Sequence, residues 1–479
     1  MGCSVRLPLA LAPHSPRALP ALPFVSPQQQ DPQLQALLES ASTLLTRWLG
    51  SACDRPPLPA LALMPEVEPR QAGLSHADLL SDLAVLMEGA YNPNHPGALA
   101  HLDPPPLPAS IAADLVCAGL NNNLLAEELS PSLSRLERGL CSWLAEALGL
   151  PSGSGGVPAS GGTLSNLMAL VTARSSRGLQ TCSDALVLAS SDAHVSLAKA
   201  IAVMGLPPTA LVSVAVDASG ALQPEALAEQ LAVAQSKGVP VLAVVATAGT
   251  TVRGAVDPLP AVAALCRRHD VWLHVDGAIG AVFGLDPAHR GRVAGLELAD
   301  SITINPQKLL GITKTSSLLL LAQPQWLAST FATGLPYMES SWGASHGGEC
   351  GLQGTRPAEC LKLWLGLRQL GLSGISTVLD GAIDRRRLLQ GMLAAIPGLQ
   401  VRSGPLHLLA FSPAGLNADQ ADRWSRQTRQ QLLDAQLMLS RPLLDGRHHL
   451  KAVLGNPHTQ SDHLERLAEV VAASMRTLP

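Results

Sequence analysis

Short apolar runs alternate with amphipathic ones through the middle third of the chain. DALVLAS is followed by AHVSLAKAIAVMG, ALVSVAV by PEALAEQLAVAQSKG and VPVLAVVAT by DPLPAVAALCRRHD, before VWLHVDGA and DSITINP. Apolar runs bounded by turn residues read as buried strands, and segments with apolar residues three and four apart read as helices. The alternation predicts an α/β fold with a mostly parallel sheet covered by helices on both faces. In such sheets ligands gather at the carboxyl ends of the strands.

The flanking segments have a different texture. MGCSVRLPLALAPHSPRALPALPFVSP is a Pro-rich tail, expected over residues 1–30, in which five prolines interrupt any signal-peptide core. Arg6 stands where a myristoylation signal after Gly2 needs Ser or Thr. DPQLQALLESASTLLTRWLG and HADLLSDLAVLMEGA predict a helical arm over residues 31–90, split by the Pro-rich RPPLPALALMPEVEPRQ. From Asn92 to about Ala126 the sequence reads as loop, and SLSRLERGLCSWLAEALG follows as an amphipathic helix. A large domain is expected over residues 91–360. From LKLWLGLRQLG onward, helices and the short strands LHLLAFSP and HLKAVLG suggest a smaller α+β domain over residues 361–479.

Charge and composition narrow the partners. A formal net charge of −4 and the absence of basic runs argue against nucleic acid. No apolar run approaches the roughly 18 residues a membrane span needs, so a cytoplasmic protein is expected. The eight cysteines show no C-x-x-C pairing; buried thiols in a reducing compartment are expected for most, and no metal site. With aromatic residues at 3%, aliphatic side chains must fill the core.

Four features fall at predicted strand ends or helix starts. Ser160-Gly161-Gly162-Thr163-Leu164-Ser165-Asn166 precedes the helical LMALVTARSS, and glycines with hydroxyl donors at a helix N-terminus let backbone amides approach an anion, although the same residues make an ordinary turn and cap. Pro158 breaks the dinucleotide-binding fingerprint there. His194 follows the strand DALVLAS. Asp276 ends the apolar strand VWLHV, where an ionised carboxylate needs a partner. Lys308 ends NPQK in a chain with only 15% charged residues. A phosphate cradle, a planar imidazole, a buried carboxylate and a lysine together suit pyridoxal phosphate: the lysine can form a Schiff base and the aspartate can keep the pyridine nitrogen protonated.

These residues resemble the group II pyridoxal-phosphate-dependent amino-acid decarboxylases, of the fold-type I, aspartate-aminotransferase-like class, over some four-fifths of the chain from Asn92 to its end. The resemblance implies a seven-stranded sheet in a large domain with a smaller α+β domain, pyridoxal phosphate as cofactor, an amino-acid substrate and a homodimer. It places Gly162 and Thr163 at the phosphate, His194 on the ring, Thr247 in ATAGTT near the cofactor and Asp276 at the pyridine nitrogen. Ala278 would lie against the ring, and Asn305, Gln307 and Lys308 would bind the cofactor, Lys308 covalently. Tyr337, in GLPYMESSWGASHGG, corresponds to a catalytic-loop tyrosine that protonates the reacting carbon, and His95 and Lys451 fall at substrate-binding positions. Gly354-Thr355-Arg356 corresponds to a turn that reaches a neighbouring subunit's site.

Two departures from the family pattern bear on the substrate. Gln307 replaces a histidine and cannot carry charge. Lys451 replaces the arginine that clamps the substrate carboxylate, supplying the charge without the bidentate fork. The segment HLDPPPLPASIAADL with NNNLLAEELSP is closer to the diaminobutyrate and lysine branch than to the glutamate branch. Glu127 and Glu128 read equally as a site for a substrate amine or as solvated helix charges, so diamino and acidic substrates both stay open. Transamination or elimination on the same fold, or cofactor binding without catalysis, are the competing functions.

Overall fold

The computed structural model describes residues 24–61, 63–335, 341–343 and 346–476. These divide into two units. One comprises the described residues up to Gly50 with Leu61–Ala90. Its helices are α1 (Pro32–Gly50) and α2 (His76–Glu88), the latter capped by the Ser75 hydroxyl, which accepts from the Asp78 amide. Neither helix buries a residue, and Leu34, Leu38, Leu79, Leu83 and Leu86 are exposed.

The other unit holds Ser51–Ala60 and everything from Tyr91 onward. It opens with α3 (Pro108–Leu120) and α4 (Pro131–Ala147). Strand β1 (Gly155–Ala159) leads into α5 (Gly162–Ser176), β2 (Leu186–Ser190) into α6 (Ser196–Val203), and β3 (Leu211–Val214) into α7 (Pro224–Ser236). Then come β4 (Val241–Thr247), α8 (Leu259–Arg268), β5 (Trp272–Gly277), β6 (Ser301–Ile304), β7 (Ser317–Leu321) and α9 (Gln325–Phe331).

The seven strands form one sheet in the order β1-β7-β6-β5-β4-β2-β3. Strands β3, β2, β4, β5 and β6 are parallel, while β7 is antiparallel to both β6 and β1. Two antiparallel pairings in succession restore direction, so β1 also runs with β6. Five segments that leave strands β1, β2, β4, β5 and β6 therefore emerge on one edge. The central strand β4 feeds two cores: Val244 and Ala246 pack on one of its faces, and Ala243 and Val245 on the other. Burial on both faces explains why β4 is apolar throughout rather than alternating.

The remainder is a three-stranded antiparallel sheet with helices. Helix α10 (Cys360–Ala394), interrupted at Gly371, precedes β8 (Leu399–Arg402) and β9 (Leu408–Pro413). Helix α11 (Ala418–Asp434), a two-residue hairpin of β10 (Leu443–Leu444) and β11 (Arg447–His448), β12 (Leu450–Val453) and α12 (Ser461–Arg476) complete it. Strand β9 lies between β12 and β8. A separate core of Leu389, Leu409, Phe411, Trp424, Leu450 and Leu467 fills it.

Three local readings change. The stretch read as loop from Asn92 contains α3, because Pro108 starts that helix at its first position, where no amide donor is needed, and the residues after it are good helix formers. The glycine-rich GSGGVPAS contains β1, whose Pro158 is tolerated because the strand lies at the edge of the sheet. Of the seven described cysteines, only Cys141, Cys266 and Cys360 are buried; these face the core from helices α4, α8 and α10.

Candidate active site

The common edge of the sheet carries a cavity of about 250 Å3. Gly162, Thr163, His194, Thr247, Asp276, Ala278, Asn305, Gln307 and Lys308 all line it. Each comes from the segment after one of five of the six co-directional strands, β1, β2, β4, β5 and β6, or from the last residues of such a strand. Gly161, at φ 120°, lets β1 turn into α5, and no side chain caps that helix start, which leaves its N-terminal end facing the cavity.

Asp276 is the best-anchored side chain. Its Oδ2 accepts from Asn166 Nδ2 at 2.8 Å and its Oδ1 from the Ala278 amide at 3.2 Å. The backbone of Thr247 is fixed by Asp257, which accepts from the Thr247 amide at 2.7 Å and from Leu222 at 2.8 Å; burial raises the Asp257 pKa to about 6. His194 Nδ1 accepts from the Ser196 amide at 3.2 Å, which requires a neutral ring, and burial lowers its pKa against the opposing pull of Asp276. Burial likewise lowers the Lys308 pKa, opposed by Asp276 and Asp103.

Gln307 directs its side-chain oxygen to the Ser316 amide, leaving its NH2 group as the end available to a ligand. Lys451, on β12, stands 3.5 Å from the Thr251 carbonyl and is only 7% exposed. Burial and then the nearby Lys308 charge lower its pKa to about 8. His95 does not line the cavity. It is buried in the turn after Asn92, with Nδ1 accepting from the Gly97 amide at 2.9 Å. Tyr337 lies outside the described residues.

Two other acidic and basic candidates are occupied. Glu127 is buried against Arg138 at 2.8 Å, with Arg135 at 3.6 Å, so it does not offer a free carboxylate to a substrate; Glu128 is exposed. Arg356 makes a buried two-pronged pair with Glu137, at 2.9 and 2.7 Å, and does not project outward.

A profile of the pyridoxal-dependent decarboxylase conserved domain matches residues 59–397. The chain belongs to that family. It is 33% identical over 406 residues to L-2,4-diaminobutyrate decarboxylase of Rhizobium meliloti, covering 82% of this chain and 80% of that one. It is 32% identical to human cysteine sulfinic acid decarboxylase over 336 residues, 68% of each chain. Among solved structures, Oryza sativa TDC with PLP and tryptamine superposes with a TM-score of 0.87 at 22% identity, covering 95% of this chain and all of that one. Mouse CSAD gives a TM-score of 0.84 at 24% identity, covering 93% and 99%. These superpositions show the shared fold. The protein is a pyridoxal-phosphate-dependent amino-acid decarboxylase.

The cavity residues fit the decarboxylase cofactor on their own terms. Thr247 Oγ1 and Asn305 Oδ1 are buried with no hydrogen-bond partner, although each residue is no more than 3% exposed; polar atoms in that state call for a ligand. Gly162 leaves room that a side chain would narrow, since an added Cβ would stand 3.1 Å from Asn305 Nδ2 and 3.5 Å from Ala278 Cβ. Asn166, Gly249, Thr250, Thr251 and Ile279 also line the cavity; Asn166 closes the stretch singled out before α5, without a role of its own, and the other four carried no expectation by number. Asn166 had a signal, since it is the polar residue one helical turn inside SGGTLSN. Among the described residues, no group of His, Cys, Asp and Glu is placed to hold a metal, and no helix is long and apolar enough to cross a membrane.

Proposed function

We propose that this decarboxylase acts on a small L-amino acid with a polar side chain, with 2,4-diaminobutyrate the first choice. The observation that carries this reading is the lining: apart from the His194 imidazole, the described residues around the cavity contribute no aromatic ring that could receive an aromatic substrate. Likeness to the diaminobutyrate enzyme over four-fifths of both chains supports the choice. A second reading, an acidic substrate such as cysteine sulfinate, aspartate or glutamate, is favoured by the two lysines, Lys308 and Lys451, that act on one another at the site.

When bound, pyridoxal phosphate supplies an electron-poor ring that takes up the electron pair left at Cα as carbon dioxide departs. In this reading Lys308 carries the cofactor covalently and its lowered pKa favours the neutral, nucleophilic amine. Asp276 would keep the pyridine nitrogen of the bound cofactor protonated, and His194 and Ala278, which line the cavity, would hold its ring. The first amides of α5, the Thr163 hydroxyl and the Gln307 NH2 bind phosphate, while Thr247 and Asn305 supply the buried oxygens. Lys451 pairs with the substrate carboxylate, and Tyr337 returns a proton to Cα. His95 serves the substrate side only by bracing the turn after Asn92, since its Nδ1 is engaged by Gly97.

The working form is a cytoplasmic homodimer. The arm helices, whose leucine stripe has no buried residue within its own unit, supply an apolar face suited to a second copy. The thiols of Cys141, Cys266 and Cys360, buried in the core, suit a reducing compartment.

Carbon dioxide release from carboxyl-labelled 2,4-diaminobutyrate, cysteine sulfinate, aspartate, glutamate and tryptophan tests the substrate. The expected result is fastest release from 2,4-diaminobutyrate and none from tryptophan. Release from tryptophan at a comparable rate sinks the small-substrate reading.

A further inference from the structure

Beneath Asp276 runs a buried chain of hydrogen bonds that the reaction does not itself use. Asn166 Nδ2 donates to Asp276 Oδ2 at 2.8 Å and to Ser196 Oγ at 3.0 Å, which employs both amide hydrogens. Asn166 Oδ1 lies 2.8 Å from Thr303 Oγ1 and 3.1 Å from His274 Nε2. His274 Nδ1 lies 2.9 Å from Ser301 Oγ, and Trp272 Nε1 donates to that same oxygen at 2.9 Å. Asn166, His274, Thr303, Ser196 and Ser301 are at most 1% exposed, and Trp272 is 4% exposed.

The chemistry of the cavity end orders the protons along the chain. An ionised Asp276 can only accept, which turns the Asn166 NH2 toward it and leaves Asn166 Oδ1 facing His274. That oxygen can only accept, so His274 is the tautomer with its proton on Nε2, and its Nδ1 accepts from Ser301. The Ser301 oxygen takes the Trp272 N–H on a lone pair of its own, which agrees with this order.

We propose that Asn166 and His274 are positioning residues that keep the Asp276 carboxylate charged and aimed into the cavity, with the proton order of the chain set by the acceptor-only carboxylate of Asp276. The inference rests on the assignment of Asp276 to the cofactor's pyridine nitrogen. A donor at Oδ2 stabilises the ionised carboxylate and, with the Ala278 amide at Oδ1, fixes its orientation. His274 can serve only while neutral, and burial keeps it so by lowering its pKa to about 4. The ionisable groups facing Asp276 are His194 and Lys308 from the cavity side and His274 from its own strand.

Two measurements test this. The first uses the unaltered apoprotein: nitrogen-15 NMR of labelled histidine, with His274 assigned by its loss in His274→Gln. The expected signature is a neutral ring protonated on Nε2 across about pH 6 to 8; protonation on Nδ1, or a charged ring, overturns the inference. The second compares cofactor dissociation constants, variant over wild type, against pH. Asn166→Leu removes the donor, so the ratio rises to about tenfold or more and grows as pH falls, because Asp276 now takes up a proton more readily. Asn166→Asp behaves oppositely: with its own proton it donates to Asp276 as the amide does, so its ratio shrinks as pH falls. Flat or parallel pH trends in the two variants overturn the inference, as a merely structural role predicts. Asp276→Asn is the control. If it leaves cofactor affinity unchanged, the assignment of Asp276 fails, and the positioning role with it; if it weakens affinity while both Asn166 variants do not, the positioning role alone fails. Should a variant not fold, the imidazole tautomer still decides.

Discussion

Replacing Lys451 by Met is expected to stabilise the cofactor-free protein while crippling the enzyme. Lys451 is 7% exposed, has a backbone carbonyl as its hydrogen-bond partner and lies near another lysine. Burial and Lys308 lower its pKa from the ordinary 10.5 to about 8. At about 1.4 kcal/mol for each pH unit of displacement, that fall corresponds to roughly 3 kcal/mol of cost for keeping the charge in the folded state near neutrality. The folded-state pKa of this base lies below the unfolded one, so the unfolded chain binds more protons between about pH 8 and 10.5. Wild-type stability therefore rises with pH across that window as the cost disappears. Met matches the length of the side chain and carries no charge. Denaturant unfolding of the apoprotein near neutrality should show Lys451→Met more stable by up to about 3 kcal/mol, with the gap closing by about pH 10. Steady-state kinetics should show a higher KM, since the substrate carboxylate has lost its cation, and Lys451→Arg should retain tight substrate binding. A variant that is less stable than wild type near neutrality, or whose advantage does not shrink with rising pH, would refute the reasoning.

Other substitutions separate the site from the scaffold. In wild type, KM should rise above about pH 8 as Lys451 deprotonates, and this rise should vanish in Lys451→Arg; pH-dependent initial rates read it directly. Gly277→Ala should destabilise by about 1–3 kcal/mol, because the added Cβ would stand 2.7 Å from Ala281 Cβ and 2.9 Å from the Thr303 carbonyl, and thermal melting of the apoprotein measures it. Glu137→Ala leaves the buried Arg356 unpaired and should cost about 3–5 kcal/mol in denaturant unfolding, whereas a role for Arg356 at a neighbouring site would instead show as lost activity with stability intact. Thr247→Val should weaken cofactor binding in a fluorescence titration without lowering apoprotein stability, since the hydroxyl it removes has no partner among the described residues.

Much of the site was legible because its residues sit where apolar strands end. A charged or polar residue after a wholly buried run, such as Asp276 after VWLHV or Lys308 after SITINP, stands out against its neighbours and needs a partner. What could not be read was anything depending on strand pairing. The antiparallel insertion of β7 brings β1, and with it Gly162 and Thr163, to the same edge as Lys308, and no local pattern announces that. Asn166 and His274 looked like ordinary helix and strand residues, because their meaning lies in partners 110 and 108 positions away in the chain. Arg356 and Glu127 misled for the same reason: their counter-charges come from helix α4, and an ion pair leaves no mark in either local sequence. Helix α3 was hidden by the prolines before it, which signal a loop up to the residue where one of them starts the helix.

The central claim is that Lys308, which lines this cavity, carries the cofactor, and that Lys451, whose charge it influences, does not. Borohydride reduction of the protein loaded with pyridoxal phosphate, followed by peptide mass spectrometry, tests it directly. The account predicts a single phosphopyridoxyl group on the peptide that contains NPQK, at Lys308. The same group on Lys451, or spread over surface lysines with Lys308 unmodified, would contradict it.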